Sequence, residues 1–416
     1  MARSSAAMKA RRLFPDNELL GGQHKMKVAI DTISLTKSHR YSGTGVYLRN
    51  LMRECLRICE IDALDFEFHG FVGTKDNWHK NGLSSRYLHA HKACALEFNR
   101  LWLLGGMALR TARVRPDLVF LPTAQSSIPP PIAPIVATIL DAIPRKIPSL
   151  VAGNFGMRVM TWVNAKLTNK IITISQWSKQ DLIELYGVDP EKVRVIYLGY
   201  DKQHYNDTPA DPDAARALFA RLGVRQPFVL HHGMVQVRKN VHRLVQAWEL
   251  LRQRCGDLEA QLVLAGPMGF GHEEILRLRE VSTNPGQIIL TGPLTDPELS
   301  LLVKNAFLCV IPSLYEGFCL PMVESMACGV PTITSNSSCL PEVSGGVLEY
   351  FDPLSLEEMS CTIQRALEDS ELRERLRRDG LARASAFSWE RCAHETLQLF
   401  TEIDALARKR ATSALA

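Results

Sequence analysis

Nowhere does the 416-residue chain sustain the roughly 18 uninterrupted apolar residues that a membrane-spanning helix needs. The best candidate, Leu118 to Leu140, is broken by Pro122, Pro129, Pro130, Pro131 and Pro134. None of the ten cysteines forms a Cys-x-x-Cys pair, and no spaced His/Cys cluster suggests zinc. Cys55 and Cys59 lie at helical spacing and read as two buried thiols. No secretory leader pattern precedes the first strand signal, so a reducing cytoplasm is the expected compartment. An excess of one charge sign is also lacking: a mild, dispersed +5 argues against nucleic acid as a partner. Basic clusters at Arg11-Arg12 and Arg408-Lys409-Arg410 read as solvated ends, with an anionic membrane surface as the alternative. Low-complexity runs and short repeats are also missing.

What is present is ordinary globular material, 46% apolar and 22% charged, in a length that suits two or three domains. Residues 1–24 read as a poorly ordered polar extension, and Met26 opens the first strand. Apolar runs at 66–72, 118–121, 135–140, 171–174 and 193–198 read as buried parallel strands. Between the first of them, Tyr47, Leu51, Cys55 and Ile58 fall on one helical face. A second series follows the polar stretch 206–213, with strands near 228–230, 262–264, 288–290, 307–311 and 332–334. Thr295-Asp296-Pro297-Glu298 has the capping-box pattern of a helix start. Two successive βαβ series predict an α/β protein of two doubly wound, Rossmann-like domains, 25–205 and 206–386, with a cleft between them.

Three segments carry chemistry. Tyr315 to Glu324 follows a strand and opens a helix at Pro321, so its amides are expected to point into the crevice at the strand ends. Gly317 permits close backbone approach there. Glu316, on the loop, and Glu324, on the first helical turn, are acceptors suited to pairs of hydroxyls. In the second segment Arg238 and Lys239 stand side by side before the helix that starts at Val241. Adjacent cations at a helix N-terminus are unfavourable unless an anion sits on them, and a diphosphate is the natural candidate. Ser42-Gly43-Thr44-Gly45 is the weaker third signal; Leu48 breaks the Gly-x-Gly-x-x-Gly spacing of a dinucleotide site. His231 and His232 read as packing residues, and Asp211-Pro212-Asp213 as a linker feature more than a metal pair.

Together these segments resemble the group 1 retaining glycosyltransferases (family 4), which have the two-domain glycosyltransferase-B fold. The likeness runs from Lys27 to about Phe400 and includes Ile172 to Lys179, Leu340-Pro341-Glu342-Val343, Asp352-Pro353 and Phe387-Ser388-Trp389. It implies that residues 387–416 return to the N-terminal domain, which takes the acceptor. Arg238 and Lys239 would neutralise the donor diphosphate. Glu316 and the amides of Gly317, Phe318, Cys319 and Leu320 would hold the transferred sugar, and Glu324 the ribose. Gly43, Gly45 and Gly233 would also line the donor. The donor is a nucleotide-sugar, with no metal and no further cofactor expected. Where the family often has His-Asp, this chain has Leu140-Asp141. Asp141 and its neighbours suffice, or the donor sugar is less polar there, or activity is impaired; the first two together are preferred.

The expected activity is retaining transfer of a hexose or deoxyhexose to an acceptor hydroxyl, in cell-surface polysaccharide or glycolipid assembly. A non-catalytic nucleotide-sugar-binding subunit, an epimerase and a phosphorylase are the competing readings. Acceptor loops are expected around 73–113 and 141–160, where Trp78 to Arg113 suits a lipid-linked acceptor at the inner membrane face as well as an ordinary amphipathic helix.

Overall fold

Val28, Ala29 and Ile30 are all fully buried, as a parallel strand covered by helices on both faces requires. The structure, a computed structural model, describes residues 25–35, 43–71, 81–91, 107–124, 126, 132–150, 154–256 and 258–415. The extension 1–24 and most of the loop region 73–113 lie outside the described residues.

Two parallel sheets organise the chain. The first contains β1 (Met26–Asp31), β2 (Phe66–Phe71), β3 (Leu88–His91), β4 (Leu118–Leu121), β5 (Ile135–Thr138), β6 (Lys170–Thr173) and β7 (Val193–Val195), in the order β3-β2-β1-β4-β5-β6-β7. The second contains β8 (Phe228–His232), β9 (Gln261–Ala265), β10 (Ile288–Gly292), β11 (Leu308–Ile311), β12 (Thr332–Ser335) and β13 (Glu349–Phe351), in the order β10-β9-β8-β11-β12-β13. Both domains are doubly wound and Rossmann-like. Each sheet reverses its order beside its first strand, at β1/β4 and at β8/β11, and a crevice opens there at the strand ends. Neither β3 nor β13 was expected from the sequence. They are edge strands, and His89, His91 and Glu349 interrupt the apolar signal of a buried strand.

Helix starts are set locally. Thr295 and Glu298 form both hydrogen bonds of the capping box on the Asp296–Lys304 helix. Asp211 caps the Pro212–Leu222 helix by accepting from the amides of Asp213 and Ala214. Its Asp-Pro-Asp run is therefore a helix start. The last helix, Trp389–Leu415, lies on the first domain, with Phe400 edge-on to Phe120 at 5.1 Å and Glu390 paired to Arg57 at 2.8 Å. A Cβ at Gly199 would stand 1.9 Å from the Trp389 amide nitrogen, so only glycine lets the two segments cross.

Candidate active site

The loop leaving β11 buries an acidic side chain between two cations. Glu316, 6% exposed, accepts from Lys239 Nζ at 2.6 Å, Arg238 Nη1 at 2.9 Å and Ser313 Oγ at 2.8 Å. Burial pushes its carboxyl up, but Arg238 and Lys239 more than reverse this and hold it at about 2. Arg238 also donates to the Tyr315 carbonyl at 2.5 Å. The sequence predicted two cations awaiting an anion on their own; the structure supplies a carboxylate from the opposite loop. Two cations desolvated together need a counter-charge, and Glu316 provides it. One positive charge remains unbalanced among the three.

Gly317 lies against the other domain. A Cβ there would come within 3.1 Å of Asp141 Cβ and of the Leu140 carbonyl oxygen. Its freedom thus serves contact between β11's loop and β5's loop. Asp141 accepts from the Ile143 amide at 3.0 Å, and burial raises its carboxyl against the pull of Arg238. The Phe318 side chain turns into Tyr197 and Phe387, with ring centroids 6.3 and 5.3 Å away. Cys319 takes a left-handed conformation, φ 72°, and launches the Leu320–Ala327 helix. Among the described residues, no protein acceptor pairs with the amides of Gly317, Phe318, Cys319 or Leu320.

Glu324 is the fifth residue of that eight-residue helix, one residue past the first-turn position the sequence suggested, because the helix starts at Leu320. The Glu324 carboxyl lies 3.9 Å from His232 Nδ1, and burial followed by the like charges of Asp296 and Asp201 lifts it to about 8. His232 offers it no cation, because burial holds that imidazole neutral, at about 3. Its Nε2 bonds Ser325 Oγ at 2.9 Å, and His231 Nδ1 bonds the Val310 carbonyl at 3.0 Å.

A raised acid destabilises the fold once pH exceeds its unfolded value, near 4.5, and the full cost is reached above about 8. Glu324→Gln is therefore expected to stabilise the ligand-free protein at pH 8, by about 1–3 kcal/mol, and to be neutral at pH 4.5. The side chain is 16% exposed, which keeps the gain below the full shift. Urea midpoints at the two pH values measure it; equal differences at both would show that Glu324 does not titrate in this window.

Gly43 and Gly45 open the Gly43–Asp62 helix instead of forming a separate turn, and Ser42 lies outside the described residues. Thr44 between them lines an interdomain cavity of about 420 Å³. Thr123, Leu140, Asp141, Met157 and Thr161 add to that wall, and Met234, Gln236, Arg238 and Phe270 form the opposite one. Gly233, at φ 120°, packs toward Pro321 at the start of the Leu320–Ala327 helix.

Sequence reading missed the serines beneath the site. Ser338 Oγ accepts from the Glu316 amide at 2.9 Å, while Ser335 and Ser337 donate to the carbonyls of Ser313 and Leu314, each at 2.6 Å. A Ser-Asn-Ser-Ser run after a strand has the composition of any loop, so no local signal marked it.

Comparison with known proteins decides the family. Residues 41–204 match the family described as Glycosyltransferase Family 4, and residues 219–383 match Glycosyl transferases group 1. The chain belongs to the group 1 glycosyltransferases. It is 33% identical over 232 residues to an O-antigen chain mannosyltransferase B of Escherichia coli, covering 55% of this chain and 60% of that protein. It is 32% identical over 241 residues to the serotype-specific mannosyltransferase WbdA of the same organism, 56% of this chain and 29% of that one. The match thus spans three fifths or less of these relatives' own lengths. Among solved structures, Anabaena HepE in complex with UDP and glucose superposes with a TM-score of 0.69 at 19% identity, over 91% of this chain and all of that one. That likeness establishes the glycosyltransferase-B fold. Among the described residues, no helix of this group 1 glycosyltransferase is long and apolar enough to cross a membrane.

Proposed function

We propose that this protein is a retaining, metal-independent hexosyltransferase that moves a sugar from a nucleotide-sugar donor to an acceptor hydroxyl. The observation that carries the reading is Glu316, held between Arg238 and Lys239 beside four amides at 317–320 that have no partner among the described residues. In this proposal the donor diphosphate takes the cations, which stabilise the leaving charge, and Glu316 turns to the sugar. The amides of 317–320 bind that sugar with it, Glu324 binds the ribose, and Asp141 meets the sugar from the opposite wall. With no carboxylate assigned as nucleophile, the acceptor attacks from the face the phosphate leaves, and the departing phosphate takes its proton. The mannosyltransferase names of the relatives make mannose the first donor sugar to try. The acceptor proposed is a lipid-linked glycan of cell-surface polysaccharide or glycolipid assembly, met at the inner face of the membrane. The chain would divide near residue 205 into acceptor and donor domains.

A thermal-shift screen across UDP-, GDP- and ADP-sugars tests the reading. A true donor at a hundred times its Kd should add about 2.7 kcal/mol, or roughly 3 °C in Tm for a chain of this length melting as one unit. No shift with any nucleotide would refute it. A shift without slow donor hydrolysis or transfer would favour the binding-subunit reading, for which aliphatic Leu140 on the cavity wall is the specific observation.

A further inference from the structure

The helix Gln176–Tyr186 of the first domain is gripped twice by the second domain. At its start, Ser175 caps only one free donor, accepting from the Ser178 amide at 3.0 Å. The two amides ahead of it are taken from across the cleft: Glu342 accepts from Gln176 N at 2.7 Å and Trp177 N at 2.9 Å. A carboxylate at a helix N-terminus is electrostatically favoured, and hydrogen bonds to it are charge-assisted. Tyr197 completes the cluster by donating to the same carboxylate at 2.9 Å; burial and Glu342 push that phenol up to about 12, so it stays a donor at neutral pH.

Further along the same helix, buried Asp181 accepts from the Tyr315 hydroxyl and pairs with Lys146 at 2.8 Å. Burial and Asp181 both raise the Tyr315 phenol. Both grips lead back to Glu316. Tyr315 is its chain neighbour, and Glu342 follows the serine loop whose Ser338 holds the Glu316 amide. Gly317, seated against Leu140 and Asp141, lies between the two.

We propose that Glu342 and Asp181 are positioning residues for the transfer step: through the Gln176–Tyr186 helix they fasten the first domain onto the loop that carries Glu316. Among the described residues, neither pairs with Arg238 or Lys239. Their loss lowers the fraction of donor-loaded protein in which the two cleft walls meet, and leaves the nucleotide's own contacts on the second domain in place. The inference rests on the transferase reading above for its kinetic consequence, and on the interdomain contacts alone for its structural one.

The test uses the full chain with Glu342→Ala, Glu342→Gln and Tyr315→Phe, and UDP or GDP as the nucleotide probe. Expected for Glu342→Ala is a kcat at least tenfold below wild type, with calorimetric Kd for the nucleoside diphosphate within twofold. Glu342→Gln keeps one acceptor oxygen and should recover part of the loss. Tyr315→Phe removes a single hydroxyl and should lower kcat severalfold at unchanged Kd. Small-angle scattering of Glu342→Ala saturated with UDP or GDP should give a larger radius of gyration than wild type under the same conditions. A kcat within twofold of wild type in both Glu342→Ala and Tyr315→Phe would overturn the proposal. So would nucleotide affinity falling in step with kcat. Should Glu342→Ala not fold, Tyr315→Phe alone decides by the same criteria. If the wild type transfers no sugar, the transferase reading fails, and the scattering comparison still judges the latch: equal radii sink it.

Discussion

Glu316→Gln is expected to lower turnover about 100- to 1000-fold, the ~2.7–4 kcal/mol that one electrostatic contact to a developing charge supplies. Nucleoside diphosphate affinity should hold or rise. In the ligand-free protein this carboxylate occupies both cations, Lys239 at 2.6 Å and Arg238 at 2.9 Å, so a diphosphate must displace it. Glutamine removes that competitor without changing the side-chain shape. The same change should destabilise the ligand-free fold by roughly 2–4 kcal/mol, because Lys239, 7% exposed, is left buried beside Arg238 without a counter-charge. The pH dependence has a definite sign. A carboxyl at about 2 in the fold and near 4.5 unfolded adds stability above pH 4.5 and loses it as pH falls toward 2. The gap between wild type and variant should therefore be widest above 4.5 and close over that window. Added nucleoside diphosphate should rescue the variant more than it stabilises wild type. Calorimetry and urea melts read all of this. Affinity lost in proportion to turnover would show that Glu316 does not stand where the diphosphate binds.

Lys239→Ala should act in the opposite sense on the nucleotide. Losing one charge-assisted phosphate contact costs about 1.5–3 kcal/mol, a roughly 10- to 100-fold weaker Kd. Stability should fall less than in Glu316→Gln, since the carboxylate keeps Arg238 and Ser313 as partners. With one cation gone, the carboxyl of Glu316 should move back up from about 2, so that acid unfolding begins at a higher pH than in wild type. An unchanged Kd by calorimetry would reduce Lys239 to a structural counter-ion of Glu316.

Much of this molecule could be read from local pattern. Buried parallel strands such as Leu118–Leu121 and the 262–264 stretch of β9 announce themselves, because helices cover both faces and the side chains there are apolar throughout. Thr295 and Glu298 mark a helix start within four residues, since both partners of the capping box are local. Arg238 and Lys239 stood out because adjacent cations before a helix N-terminus are electrostatically out of place, and Glu316 because a carboxylate on a ligand-facing loop suits hydroxyl groups. What pattern could not show was that they answer one another. Glu316 is 78 residues from Arg238, and only the packing of β8 beside β11 makes the acid the counter-ion of the cations.

Local pattern was enough for the two doubly wound sheets apart from the edge strands β3 and β13, for the loops at their switch points and for the charged residues on those loops. All of these follow from short-range periodicity and from charge placed against a helix dipole. Only packing brings Gly317 against Asp141 of the other domain, and Glu324 beside neutral His232. It alone set Glu342 on the free amides of Gln176 and Trp177. Each of these pairs residues more than 90 positions apart along the chain, and burial removes the water that would otherwise satisfy their polar groups. Which distant partner replaces that water is settled by how the domains pack, and no local pattern encodes it.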